Sequence, residues 1–577
     1  MANCYTDHPE LRFELNHPLM KRIVELKERN FRDKDTFDYA PLDHEDAMDS
    51  YDRVLDIVGE ITGTTIADNA EGVDLEGPHH EGDRVRYASG TAQNLDAMVK
   101  AGLNGMTMPR RYNGLNFPIT PYTMCAEIVA AKDAGFGNIW SLQDCIETLY
   151  EFGNEDQHSR FIPRICAGET MSMDLTEPDA GSDLQSVMLK ATYDEENDCW
   201  RLNGVKRFIT NGDADLHLVL ARSEEGTTDG RGLSMFIYDK RDGGVNVRRI
   251  EHKLGIHGSP TCEMVFTEAP AKLIGLRKRG LITYVMALMN GARMGIAAQG
   301  TGIAEAAYRA ARDYAAARKQ FGVTIDTFPA LRELMSTMSV ELQGSRLLTY
   351  YAAKNVDLEA GLGRKFETLK GSPEAPAVRA RLKKYAAFNK MLTPMAKYYG
   401  SELSMRNAQG AIAVLGGSGF MKDYPCERYL RDSRITTIYE GTSQLQVVAA
   451  IAGVTGGLVK DVVADILGKE DWHADHPRMT KLLADLDAAV EFVKGREDAK
   501  TYHDLSARKL VDAAIALVVA ALFVKAAEKF DHKKPALEFW LNVEFPRVRA
   551  GLEQVMSGYA GAAADFETLA PMPPEED

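Results

Sequence analysis

Cysteine is scarce in this 577-residue chain: Cys4, Cys125, Cys145, Cys166, Cys199, Cys262 and Cys426 are odd in number and nowhere closely paired. That scatter excludes a disulfide framework and a zinc cage, and reads as reduced thiols in a cytoplasmic setting. Long apolar runs are missing too. The longest, residues 513–524, is well short of the roughly twenty residues a membrane helix needs. The first residues lack the basic-then-apolar layout of a signal peptide. Positive charge is in deficit, with 68 basic against 84 acidic residues and a net charge of -16, so no nucleic-acid surface is expected. There is no G-x-G-x-x-G fingerprint, phosphate loop or zinc-protease helix motif. What remains is an ordinary soluble composition, 45% hydrophobic and 26% charged, in a chain long enough for three or four domains.

Hydrophobic period divides the chain. Residues 1–40 are charged and mixed, an arm or a helix on a neighbour. Residues 41–170 read as an N-terminal helical domain, interrupted at 70–90 by a loop or short hairpin. The acidic cluster Asp43, His44, Glu45, Asp46 admits a metal reading, but acids at a helix start are favoured by the helix dipole and explain it better. Between 171 and 275 the pattern shifts to short alternating runs split by Gly and Asp, the signals of a compact antiparallel β-domain. Helical periodicity returns over 292–321, 331–358 and 375–415, suiting a four-helix bundle within 276–455. A Gly-rich break at 453–457 opens an accessory helical domain, 456–577, whose segment 510–530 is apolar on nearly all faces. Burial between domains or subunits is the first reading of that segment. A membrane-surface helix, with Lys525, Lys533 and Lys534 facing lipid, is the second. The Pro/acid tail from Pro571 reads as disordered. The fold class is therefore α+β, mainly α: helical, then β, then a bundle and an extra helical module.

One carboxylate stands out. Glu440 sits between Ile438-Tyr439 and Gly441-Thr442, a low-polarity setting of the kind that raises a carboxyl group's proton affinity, as a carbon-acid base requires. Taken alone, a Glu before Gly is more often a solvated helix end. The surrounding order, Gly416-Gly417-Ser418-Gly419-Phe420, Tyr424-Pro425, Glu427, Arg431-Asp432 and Tyr439-Glu440-Gly441-Thr442, resembles the second signature of the acyl-CoA dehydrogenases. Upstream, Leu175-Thr176-Glu177-Pro178-Asp179-Ala180-Gly181-Ser182-Asp183 resembles the first signature of that family. The resemblance covers roughly residues 45–455, and the flanking segments look like those of the larger bacterial members, which include methylthiopropanoyl-CoA dehydrogenases.

The resemblance implies an FAD-dependent enzyme, acting in fatty acid β-oxidation, that forms an α,β-double bond in an acyl-CoA thioester. Its electrons would pass to an electron-transfer flavoprotein from a homodimer or homotetramer. Glu440 would take the α-proton, and FAD would take the β-hydride, since no side chain accepts hydride. The alternative base position of the family falls on Ala292, which cannot act. Thr176, Phe208 and Thr210 would contact the isoalloxazine ring, with Phe208 where Trp is usual. Arg318 and Phe321, in the family's Arg-x-x-Phe-Gly, would reach a neighbour's FAD, and Thr442 and Gln444 would lie near its adenosine half. Ser182 and Tyr439 would contact the acyl-CoA, with Trp140 a further pocket candidate favouring a compact acyl group. Ala413 replaces a usual Gln, so that cross-subunit contact is lost or supplied differently. No metal is implied. An enoyl-CoA reductase, an oxidase and a non-catalytic scaffold of the same fold remain the alternatives.

Overall fold

A computed structural model describes residues 3–572. The tail beyond Met572 therefore lies outside the described residues. The acidic cluster at 43–46 is a helix start: Asp43 caps the helix His44–Ile61, accepting from the Asp46 N–H at 3.0 Å. That rod runs on through a one-turn π segment into Ala67–Glu76, so helix persists further into the 70–90 stretch than its Gly/His content suggests. The hairpin is there, but short: His79–Glu81 pairs with Arg84–Arg86. Helices Pro9–Leu15 and Leu19–Lys27 turn the arm into part of the N-terminal core, burying Leu11, Leu15, Ile23 and Val24.

Seven strands form the β-domain. Leu216–Arg222 and Leu233–Asp239 are buried along their whole length and pair antiparallel, closing a small barrel with Lys190–Asp194, Cys199–Thr210 and Thr261–Leu273. The expectation of a purely antiparallel domain is corrected at two pairings, because Met171–Asp174 lies parallel to Leu216–Arg222 and Lys190–Asp194 meets the same strand in parallel at Lys190 and Arg222. Cys199–Thr210 and Thr261–Leu273 form the long central pair, and their register slips between Lys206 and Ile209. A slip of that kind re-aims side chains, and here it swings Phe208 outward at φ +61°.

Three long helices, Met286–Ala317, Pro329–Thr368 and Ala375–Leu415, make the bundle with Ser443–Thr455. The first of them stops at Ala317, four residues earlier than its periodicity suggests, and Lys319–Gln320 and Val323–Thr324 form a hairpin beyond it. At the Gly-rich break the chain bends by 83° between Ser443–Thr455 and Leu458–Leu467. Beyond it, Ala499–Lys529 is the axis of the accessory module. Contrary to the count of apolar residues in a row, this helix is long and apolar enough to cross a membrane, with mean hydropathy 2.3 in its most apolar window. Yet 78% of that window is buried, and Leu510, Ala514 and Leu517 share one continuous core with Leu348 and Met395 of the bundle. Its apolarity is spent on protein. Lys533, assigned to lipid in the membrane reading, is buried and donates to Gln343 (2.8 Å) and Glu10 instead.

Candidate active site

Glu440 occupies a turn between helices Cys426–Thr436 and Ser443–Thr455. Its φ is +54° and that of Gly441 is +85°. Left-handed backbone at a non-glycine residue is costly and persists only where its surroundings enforce it. They do so here. Lys397 Nζ donates to the carbonyls of Thr436 (2.7 Å) and Gly441 (2.8 Å), and Gln446 Nε2 donates to those of Glu440 and Gly441, both at 3.0 Å. With its carbonyls turned toward these donors, the turn leaves the Glu440 N–H without an acceptor among the described residues.

The carboxyl group is half-buried and its proton affinity is raised. Burial pushes it from the ordinary 4.5 up to about 7, while the charges of Lys397 and Arg293 pull the other way. Tyr439, the adjacent candidate, donates to Gln299 Oε1, which in turn holds the Ala134 carbonyl at 2.9 Å through its own amide. Burial holds its phenol neutral. Ala292 sits one residue before Arg293 on Met286–Ala317 and offers no functional group. Sequence reasoning missed Lys397, Gln446, Arg293 and Asp144. Asp144 belongs to the 3-10 turn Ser141–Cys145, which packs on both Met286–Ala317 and Met171–Asp174. Burial first, then Glu147 and Glu440, keep its carboxyl protonated well above the usual range. A motif scan has no signal for these four, because each is defined by what surrounds it in space.

Thr176 and the central strand form a second wall. The Arg207 N–H donates to the Thr176 carbonyl at 2.9 Å. Lys206, fully buried, donates to the Leu175 carbonyl and to Glu177, each at 2.9 Å, while Glu177 accepts the N–H groups of Met188 (2.7 Å) and Leu189 (2.9 Å). One ammonium thus ties the first signature to the strand carrying Phe208 and Thr210. The hydroxyls of Thr176 and Thr210 have no hydrogen-bond partner among the described residues, and Phe208 is 52% exposed. Buried Ser443 Oγ and Gln446 Oε1 are likewise unpaired. A half-exposed aromatic ring, with the Arg207 guanidinium 4.7 Å from its centroid on one side and unpaired hydroxyls at Thr176 and Thr210, suits a flat heteroaromatic ligand with polar edges.

The remaining candidates are mostly exposed. Ser182 is exposed in the loop after Thr176, and Gln444 is exposed on Ser443–Thr455. Thr442 caps that helix, its hydroxyl accepting from Leu445 N–H at 3.2 Å. Arg318 is exposed at the end of Met286–Ala317, and Phe321 stands 94% exposed at φ +52° in the hairpin beyond. Ala413 is exposed as well. Ser182, Arg318, Phe321 and Ala413 make no hydrogen bond or ion pair with Glu440 among the described residues, while Thr442 and Gln444 follow it closely in the chain. Trp140 is buried against Tyr122 in the N-terminal core, ring centroids 5.8 Å apart, which makes it packing. Arg431 and Asp432 are structural: Arg431 grips Asp74 at 2.7 and 3.0 Å, and Asp432 accepts the Ile256 N–H, fastening the bundle to both other domains.

Three family models match in succession: the acyl-CoA dehydrogenase N-terminal domain over residues 56–169, the middle domain over 172–269 and the C-terminal domain over 279–454. The chain is 34% identical over 373 residues to an acyl-CoA dehydrogenase of Bacillus subtilis, covering 63% of this chain and 90% of that protein. It is 31% identical over 434 residues to the 3-methylmercaptopropionyl-CoA dehydrogenase of Ruegeria pomeroyi, 71% of this chain and 70% of that one. Its fold matches a Bacillus anthracis acyl-CoA dehydrogenase solved with FAD, at TM-score 0.70 and 22% identity, over 89% of this chain and 90% of that chain.

Proposed function

The chain belongs to the acyl-CoA dehydrogenase family, and from that premise we propose an FAD-dependent enzyme that removes two hydrogens across Cα and Cβ of an acyl-CoA thioester. One observation carries this reading: a lone carboxylate, poised near neutrality by burial, on a turn whose own N–H is free to bind the thioester oxygen. Glu440 takes the α-proton. As it does so, the enolate charge on the thioester oxygen meets the Glu440 N–H. The backbone carbonyls that would repel that charge are held away by Lys397 and Gln446.

Bound FAD supplies the acceptor for the β-hydride. Thr176 and Thr210 would bond the ring edge and Phe208 would cover a face. Ser182 would contact the thioester and Tyr439 would wall the acyl group. Arg318, Phe321, Thr442 and Gln444 would serve the distal half of FAD, the first two from a neighbouring subunit; their exposure supports that assignment. The acceptor we propose is an electron-transfer flavoprotein, and the assembly a homodimer or homotetramer in the cytoplasm. A panel of acyl-CoA thioesters with an artificial electron acceptor tests the reading. The wild type turns over at least one of them, while Glu440→Gln holds FAD and ligand but leaves the flavin oxidised. A Glu440→Gln variant with intact turnover ends it.

A further inference from the structure

Lys397 is a buried cation without an ionic partner. Its ammonium is fully enclosed on Ala375–Leu415, yet among the described residues it forms no salt bridge, only the two bonds to the Thr436 and Gly441 carbonyls. Ser401, one turn further along the same helix, adds a bond to the Thr436 carbonyl at 2.9 Å. Burying an ammonium without a hydrogen-bonded anion costs several kcal/mol, and neutral donors would serve two carbonyls with no such cost. The charge therefore calls for a reason beyond the hydrogen bonds. The charged groups around it are Glu440, Arg293 and Glu402, with Glu440 foremost.

We propose that Lys397 is a positioning residue for the base: it locks the turn that presents Glu440 and supplies the positive charge against which that carboxylate ionises. The two halves follow from one geometry. The carbonyls it holds bracket the turn at residues 436 and 441, so the backbone of Glu440 is fixed beside the ammonium, whose charge acts on the carboxylate without an ion pair between them among the described residues. Direct contact would lower the basicity of the carboxylate too far, and absence of charge would leave it protonated at working pH. The other titratable groups facing Glu440 are Arg293 on the first long helix, Tyr439 beside it, and Asp144 and Cys145 on the 3-10 turn. Burial keeps the last three neutral.

This inference rests on Glu440 being the base, and the experiment separates the two claims. The titration of the residue-440 carboxyl is read directly by infrared difference spectroscopy against Glu440→Gln, on FAD-loaded protein, in wild type, Lys397→Met and Lys397→Gln. The Gln variant keeps a donor for the carbonyls and loses only the charge. In both variants the carboxyl midpoint rises by about one unit, the effect of removing one near opposite charge. Turnover at pH 7 then falls about fivefold through loss of the ionised form alone. Should both variants fail to fold, the reciprocal shift decides: the Lys397 midpoint, read by NMR of the labelled lysine side chain, falls by about one unit from wild type to Glu440→Gln, because each charge stabilises the other. A carboxyl midpoint unchanged in a folded Lys397→Gln, or a Lys397 midpoint unchanged by Glu440→Gln when neither Lys397 variant folds, overturns the proposal. Full turnover in Glu440→Gln would instead remove the base assignment itself.

Discussion

Wild-type turnover should rise with pH through about 7, and the size of the rise follows from one side chain. Burial moves the Glu440 carboxyl from 4.5 to about 7, a preference for the neutral acid of about 3 kcal/mol. The sign runs opposite for activity and stability. Only the ionised form accepts the α-proton, so kcat/KM climbs about tenfold between pH 6 and pH 8 as the ionised share goes from about one tenth to about nine tenths. Stability falls over the window from 4.5 to 7, because the folded chain holds a proton there that the unfolded chain has released. The perturbation is Glu440→Gln, which keeps the shape and removes the titration. Its turnover drops about 10²–10⁴-fold, the span of a lost general base, and loses its pH slope. Steady-state rates with an α-deuterated acyl-CoA and a dye acceptor, from about pH 4 to about pH 8.5, isolate the proton-abstraction step. An acid limb near 4.5 refutes the buried-carboxyl argument. A Glu440→Gln rate within tenfold of wild type refutes the assignment.

Lys206→Met strands Glu177 as a buried charge without its ammonium, at a cost of about 3–5 kcal/mol. The expected result is a lowered melting temperature and FAD lost on gel filtration, and unchanged FAD retention would refute the tie between Thr176 and Phe208. Leu517→Ala, in the fully buried stretch of Ala499–Lys529, costs about 2–5 kcal/mol because its surroundings cannot collapse into the space. A thermal melt unmoved by that change would place the helix outside the shared core. In a sedimentation assay with anionic vesicles the protein stays in the supernatant, since the apolar helix faces protein and Lys533 is engaged with Glu10 and Gln343.

Element types were legible because they depend on local period: residues 375–415 read as one helix, and the structure has Ala375–Leu415. Helix ends were less so, since Pro329–Thr368 outruns its apolar stripe by ten residues at its far end, held by packing that sequence does not display. At the site, Glu440, Thr176 and Phe208 could be found because their neighbours in sequence form recognisable strings. Lys397 lies more than forty residues from Glu440 along the chain, in an unremarkable helix, and only folding brings its ammonium to the turn. Trp140, named from sequence as a pocket candidate, is buried in the N-terminal core, directly before the turn that carries Asp144. The strength of Ala499–Lys529 as an apolar helix does not show in a count of consecutive apolar residues, because the charged Asp512 and Lys525 bound its run of twelve while the helix continues on either side.

The contact of Glu10 with Lys533 has a bearing on how the molecule comes to be made. During translation the leading segment emerges more than five hundred residues before the lysine that will hold it. Until then Glu10 has no counter-ion there, and the surface of Pro329–Thr368 where Gln343 waits stays open to solvent. Fastening Glu10 to Lys533 is thus a late event, available only once residue 533 has been synthesised.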